Sequence, residues 1–279
     1  MAESLSCVLT VRKGKMSRFT TEGIDPAPVY KKSRDPHSGQ VPPSVKLREE
    51  LAAEGKPVIV AFSRGKDSIC TMISLLEMGI EVIPVHLYRV PGLKFEEDSI
   101  KHFEDFFQMR IYNIPHGNLW YYFINGVFME PWQRSIVMAA GIQEIPNDVM
   151  WWDFKESLGL DPLGTWVADG VRAADSPARR LSMITHGPTT DSPRKWGDEV
   201  FRKKYHHSIW DWKIADIRRC LDINKVQLPI DYDLFGRTFD GLDYRFIKPL
   251  QEHMPEAFET IKEWFPAVEM ELMRHEWIR

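Results

Sequence analysis

From residue 45 the chain alternates apolar runs with apolar residues at helical spacing. VKLREELAAEG (45–55) reads as a short amphipathic helix stopped by Gly55. VIVAF (58–62) is an unbroken apolar run of strand length, and DSICTMISLLEMG follows with Ile69, Met72, Ile73, Leu75 and Leu76 on one helical face, ended by Gly79. IEVIPVHLY (80–88) predicts a second buried strand. FEEDSIKHFEDFF predicts a helix with Phe95, Ile100, Phe103 and Phe107 inward, and RIYNIP a short third strand. Another apolar strand is expected near 166–168, and the segment from residue 245 is helical in pattern. Continuous apolar strands separated by helices predict an α/β fold, a parallel sheet flanked by helices with a mostly helical C-terminal region. Residues 20–44, rich in Pro, Ser, Gly and charge, read as an extended arm or linker. The expected organisation is an arm over 1–44, a nucleotide-binding domain over 45–245 and a helical segment over 246–279 that packs on the core.

Composition adds exclusions. In 279 residues, 43% are hydrophobic and 27% charged, and the net charge of −4 provides no global basic field for nucleic acid. The basic residues Arg12, Lys13, Lys15, Arg18, Lys31, Lys32 and Arg34 nonetheless crowd the start, and a second basic concentration lies between Arg172 and Lys204. Such an arm would suit nucleic acid, although a solvated tail is the commoner outcome. Cys7, Cys70 and Cys220 have no CxxC or Cys/His ligand spacing, which argues against a local zinc or iron–sulfur site. No apolar run approaches the ~20 residues a membrane helix needs, and no signal-peptide pattern opens the sequence. A cytoplasmic, reduced protein is expected.

The candidate chemistry sits where the first strand meets the next helix, at SRGKDS (63–68). In an open parallel sheet, ligands bind at this edge. Gly65 would let the backbone turn tightly and approach an anion. Ser63 and Ser68 supply hydroxyls, the free N–H groups of the helix point at the ligand, and Lys66 adds a cation. An ordinary turn with Ser and Asp as caps is the alternative. The motif is neither GxxxxGK[ST] nor GxGxxG.

SRGKDS resembles the PP-loop of the ATP pyrophosphatase (adenine nucleotide alpha-hydrolase) superfamily, whose usual form is SGGxDS. Arg64 departs from it at the second position. Three further segments are similar to the phosphoadenosine phosphosulfate (PAPS) reductase family: VPGLKFEED, WVADGVRAADSPARR with Gly170, Arg172, Ser176 and Arg179 at the matching places, and SIWDWKIADIRRCLDINKVQLPIDYDLFG. The resemblance implies that an adenine nucleotide binds at Ala61, Phe62, Ser63, Arg64, Gly65, Lys66, Asp67, Ser68, His86 and Leu87, with Gly170 and Arg172. It also implies closure of a basic segment over the distal phosphate or sulfate, with Ser176 and Arg179 as substrate-binding candidates; a surface of solvated arginines is the alternative, and Arg180 reads as such a bystander. Arg172 and Arg179 suit bidentate oxyanion binding. Within the family, proteins of this appearance occur in mobile and phage-associated settings.

The family's C-terminal E-C-G-x-H nucleophile is not found: no cysteine follows Cys220, and Cys70 and Cys220 read as core. What remains is the superfamily's shared reaction, in which ATP with Mg²⁺ is cleaved to AMP and pyrophosphate as an acceptor is adenylylated. Lys66 and Asp67 are the catalytic candidates. Asp67 orients the loop, holds the metal or caps the helix, and His86 is a base, an adenine-lining residue or a packed one. Residues 232–249, with Tyr232, Arg237, Asp240, Asp243, Tyr244 and Arg245, read as a looped wall, either of an acceptor pocket containing Arg237 and Arg245 or of an oligomer contact. Trp151–Trp152 and Trp210–Trp212 are stacking surfaces or buried anchors. A sulfonucleotide enzyme using an external thiol and a non-catalytic nucleotide-binding subunit stand as alternatives. A homodimer and a nucleic-acid partner stay open.

Overall fold

The computed structural model describes residues 18–31, 39–141, 146–196 and 198–277. Chain order runs α1 (Ser44–Glu54), β1 (Val58–Ala61), α2 (Lys66–Glu77), β2 (Val82–Tyr88), α3 (Lys94–Phe107), β3 (Tyr112–Pro115), α4 (Gly117–Ile124), α5 (Pro131–Ala139) and α6 (Asn147–Ser157). It continues with β4 (Val167–Asp169), α7 (Pro177–His186), β5 (Thr189–Trp196), β6 (Glu199–His207), α8 (Ile214–Ile223), α9 (Asp231–Phe235), α10 (Tyr244–His253), α11 (Pro255–Trp264) and α12 (Glu269–Trp277). One six-stranded sheet has the order β3-β2-β1-β4-β6-β5, parallel throughout except for β5 against β6.

The unbroken apolar runs have the expected cause: both faces of the sheet are covered. Val58, Val60 and Phe62 join Ile69, Met72 and Ile73 of α2 in the largest cluster, while Ile59 between them packs with Val85, Trp151, Phe154 and Val167 on the other face. Phe95, Ile100, Phe103 and Phe107 are all buried. Gly55, with φ +64, closes α1. The helices α10 to α12 build their own apolar cluster, and Val90, Leu93, Phe95 and Leu119 join it to the sheet domain. Trp151, Trp210 and Trp212 are buried anchors, and Trp152 meets the Phe201 ring edge-on. No helix among the described residues is long and apolar enough to cross a membrane.

Three expectations need correction. Residues 189–207, seen in the sequence only as part of a basic stretch, form the β5–β6 hairpin, with β6 parallel to β4. The looped wall over 232–249 is two helices joined by a loop, since Asp243 caps α10 through Arg245 N and the helix accommodates Pro249. The described part of the arm is docked. Phe19 is buried against Phe106 and Phe107, Thr21 bonds Glu77, Thr20 bonds Asn224, and Val41 is buried. Arg12, Lys13, Lys15, Lys32, Arg34 and Cys7 lie outside the described residues.

The β4–β6 junction contains a buried pH-sensitive group. His206 lies between Ser208 Oγ (2.8 Å) and the Leu47 carbonyl (3.3 Å), and burial lowers its pKa to about 4. A depressed histidine gives stability that is complete above the unfolded value near 6.5 and drains as pH falls toward 4. Urea midpoints measured between pH 7 and pH 4 should fall through that window. His206→Gln should flatten part of the fall.

Candidate active site

The carboxyl edge of β1 and β4 opens onto a cleft of about 440 Å³ lined by Ala61, Ser63, Gly65–Ser68, Asp169–Val171, Asp175, Arg179, Tyr232, Arg237 and Thr238. Helix α2 begins at its floor, so first-turn N–H groups that lack helical partners face it. Ser63 Oγ is 3.2 Å from Ser68 Oγ, which in turn donates to the Gly65 carbonyl. The Lys66 N–H donates to Tyr232 Oη at 2.9 Å. Burial raises the Tyr232 pKa to about 12. The phenol therefore keeps its proton near neutrality and has it free to donate to an anion.

Around this floor the cations fall into two kinds. Lys66 Nζ meets Asp67 Oδ2 (2.8 Å), Arg179 Nη1 meets Asp175 Oδ2 (2.8 Å), and Arg237 Nη2 meets Asp240 Oδ2 (2.6 Å). All three are partly exposed, and such pairs hold only ~0–1 kcal/mol, so these cations exchange one anionic partner for another at small cost. Arg172 is different: it is buried, with Asp67 Oδ1 at 2.8 Å, Asp175 Oδ1 at 2.7 Å and the Trp212 carbonyl at 3.4 Å. It ties the start of α2 to β4 and α7 as a positioning residue. Ser176 caps α7 by accepting the Arg179 N–H (3.2 Å).

Two glycines explain the local path. At Gly170 an added Cβ would lie 2.7 Å from the Asp67 carbonyl carbon and 2.9 Å from Asp67 Cβ, so only glycine lets β4 pass this close to α2. Gly65 has an extended backbone (φ −84°), and the turn expected there falls one residue earlier, at Arg64 with φ +61°. A Cβ on Gly65 would instead come 3.2 Å from Ser63 Oγ and 3.5 Å from Tyr232 Oη. Glycine adopts such a left-handed position freely, and the Arg64 side chain adopts it at a cost of ~1–2 kcal/mol.

Arg64 does not face the cleft. Its side chain is fully buried, hydrogen-bonded to Glu96 Oε1 and 3.2 Å from Asp231 Oδ1. Burial pushes the Glu96 carboxyl up, but the Arg64 guanidinium, helped by His86 and Arg89, outweighs it and holds the pKa below its usual value. Three other expected nucleotide contacts also turn inward. Phe62 meets Phe103 and Phe107 edge-on, and Leu87 packs in the Ile59–Val85 cluster. His86 is buried with Nδ1 3.1 Å from the Phe62 carbonyl and Nε2 3.8 Å from Glu96, which is the packed alternative. Arg245 sits on α10 against Asp243, outside the cleft lining. Cys70 and Cys220 are fully buried, and burial pushes the Cys70 thiol up.

The sequence reading missed Asp169, His207, Asp175 and Thr238. Asp169 ends β4 and His207 ends the neighbouring β6. Their register pairing brings His207 Nδ1 to 2.6 Å from Asp169 Oδ1, which also accepts the Val171 N–H at 3.0 Å. Beyond Arg237 the polar edge continues through Asp240 to Arg89 (2.7 Å), which lies 3.4 Å from His116 Nε2. For a magnesium ion the fit is poor. Both Asp67 oxygens face cations, and no group of three or more His, Cys, Asp or Glu side chains among the described residues is arranged to hold a metal.

No family model matches the sequence, and no curated protein matches it. Among solved structures, the chain is similar to Candida glabrata FMN adenylyltransferase in three complexes: with ATP (11% identity, TM-score 0.43), with FMN and an ATP analogue (10%, 0.42), and with FAD and inorganic pyrophosphate (11%, 0.41). Each alignment covers 69% of this chain and 58–60% of the other, so the chain spans about three fifths of the length of those structures.

Proposed function

We propose that this protein is a PP-loop enzyme, similar to the PAPS reductase family, that cleaves ATP between its α- and β-phosphates and transfers the adenylyl group to an acceptor. The observation that carries the reading is the convergence on one cleft of the α2 N-terminus, the Ser63 and Ser68 hydroxyls, the Tyr232 phenol and three exchangeable cations, Lys66, Arg179 and Arg237. Together they suit a chain of phosphates better than one anion. In the transfer, an acceptor oxygen forms a bond to the α-phosphorus, the α–β bridging bond breaks, and pyrophosphate leaves with its charge met by Lys66 and the first turn of α2. The proton released by the acceptor goes to the Asp169–His207 pair, whose Asp169 lines the cleft. Asp67 holds Lys66 and Arg172 in place rather than binding a metal.

Incubation with α-labelled ATP, Mg²⁺ and candidate acceptors should yield AMP or an adenylylated product together with pyrophosphate. ADP and phosphate as the sole products would refute the reading. Asp169→Asn and His207→Gln should each slow transfer by about 10²-fold and shift its pH profile, while ATP affinity stays within about threefold. A parallel loss of affinity would assign the pair to binding instead.

A further inference from the structure

We propose that Arg89 and His116, at the carboxyl edge of β2 and β3, hold an oxyanion of the acceptor, a carboxylate or a phosphate. Resting on the adenylyl-transfer reading, this gives the acceptor a chemical class: it carries an anionic group apart from the oxygen that attacks. Arg89 directly follows β2 and His116 directly follows β3, and the pairing of Tyr88 with Pro115 sets them side by side. Arg237, which lines the cleft, is one shared carboxylate away, through Asp240.

His116 caps α4: its Nδ1 accepts the Asn118 N–H at 2.8 Å, and a backbone amide can only donate, so Nδ1 carries no proton. Burial, with Arg89 and His86 beside it, lowers the ring's pKa to about 4. Near neutrality the single ring proton therefore sits on Nε2. Nε2 lies 3.4 Å from Arg89 Nη2, and a guanidinium has only donors. Two N–H groups thus face each other with no acceptor between them. An oxygen about 2.9 Å from each nitrogen satisfies both. Ser, Thr, Asp or Asn is the ordinary cap; histidine adds the second nitrogen beside Arg89.

The neighbouring charges leave a place for an anion. Arg89 and Arg237 share the one carboxylate of Asp240, at 2.7 and 2.6 Å. Asp243 is engaged by Arg245, and the buried Glu96, which also feels Arg89, is bonded to Arg64. Asp240 is partly exposed, so an incoming oxyanion competes for Arg89 at small cost. Tyr122 of α4 brings its hydroxyl to the same loop, 3.4 Å from where a Cβ on Gly241 would lie. Burial raises the phenol's pKa, so it keeps its proton as a further donor.

The full chain with ¹⁵N-labelled histidine rings reports the site directly. The His116 signal is assigned by its loss in His116→Asn, which keeps the cap, and near neutrality it should show the Nε2–H tautomer. Inorganic phosphate and acetate are the probes, titrated without and then with a saturating non-hydrolysable ATP analogue. At least one should shift the His116 ring saturably in both conditions, and the tighter one names the head group. Arg89→Gln should weaken that binding about tenfold, and Asp240→Asn, which removes the competitor for Arg89, should tighten it about threefold. The ring of the buried His206 should stay unmoved in both variants, as the check on folding. An Nδ1–H tautomer, no saturable shift with either anion, or indifference to Arg89→Gln would overturn the proposal. Displacement of the anion by the analogue would give the site to the nucleotide and overturn the assignment to the acceptor. An analogue that does not bind at all would sink the adenylyl-transfer reading, while the titration without it still decides the anion site.

Discussion

Replacing Arg64 by methionine is expected to destabilise the protein by about 3–5 kcal/mol, because it strands two buried carboxylates. Glu96 and Asp231 both depend on this guanidinium, and Asp231 also fixes the next loop by accepting the Phe239 N–H at 2.8 Å. Arg64→Gly relieves the left-handed backbone yet leaves the same two charges unpaired, so it should be nearly as damaging. Urea unfolding of the single variants and of Arg64→Gly/Glu96→Gln/Asp231→Asn separates the two effects. If the triple variant regains most of the loss, the buried charges account for it. A small loss in Arg64→Met would show that the ion pair is dispensable.

The second large effect is expected at Gly170. A methyl group there meets the Asp67 backbone at 2.7–2.9 Å, and backbone cannot swing aside as a flexible side chain can. Gly170→Ala should therefore push α2 from β4, at about 1–3 kcal/mol of stability. If residues 63–68 hold phosphate as proposed, a displacement of that turn by a fraction of an ångström should lower turnover by up to about 10²-fold. Isothermal titration with a non-hydrolysable ATP analogue, beside a thermal melt, is the check. Unchanged affinity would mean that the start of α2 does not hold phosphate.

Much of this architecture was legible in the sequence because burial on both faces writes a strand as a continuous apolar run. β1, β2 and the inward phenylalanines of α3 are of that kind. The β5–β6 hairpin was not, because β5 lies at an edge and its TTDSPRKW carries charge and a proline, as edge strands do. Ser63, Lys66, Asp67, Ser68 and Arg179 lie on local motifs, and all five line the cleft. Asp169 and His207 are 38 residues apart and are joined only by the β4–β6 register, which no local pattern encodes. Arg64 looked like a phosphate ligand because it sits inside the motif. Its direction was decided by two distant acids, Glu96 and Asp231, whose burial no short window reveals.

The stitching of the turn over residues 63–68 to α9 also bears on how the cleft comes into being. Arg64 reaches Asp231 across 167 residues of chain, and the Lys66 amide reaches Tyr232 across 166. Contacts that close loops of this length form late, after local helices and neighbouring strands have condensed. During synthesis from the N-terminus, β1 and α2 emerge long before α9, so the turn passes through a stage with its buried arginine unpaired. The proposed nucleotide binding should accordingly be one of the last properties acquired in folding and one of the first lost when residues near 230 unravel.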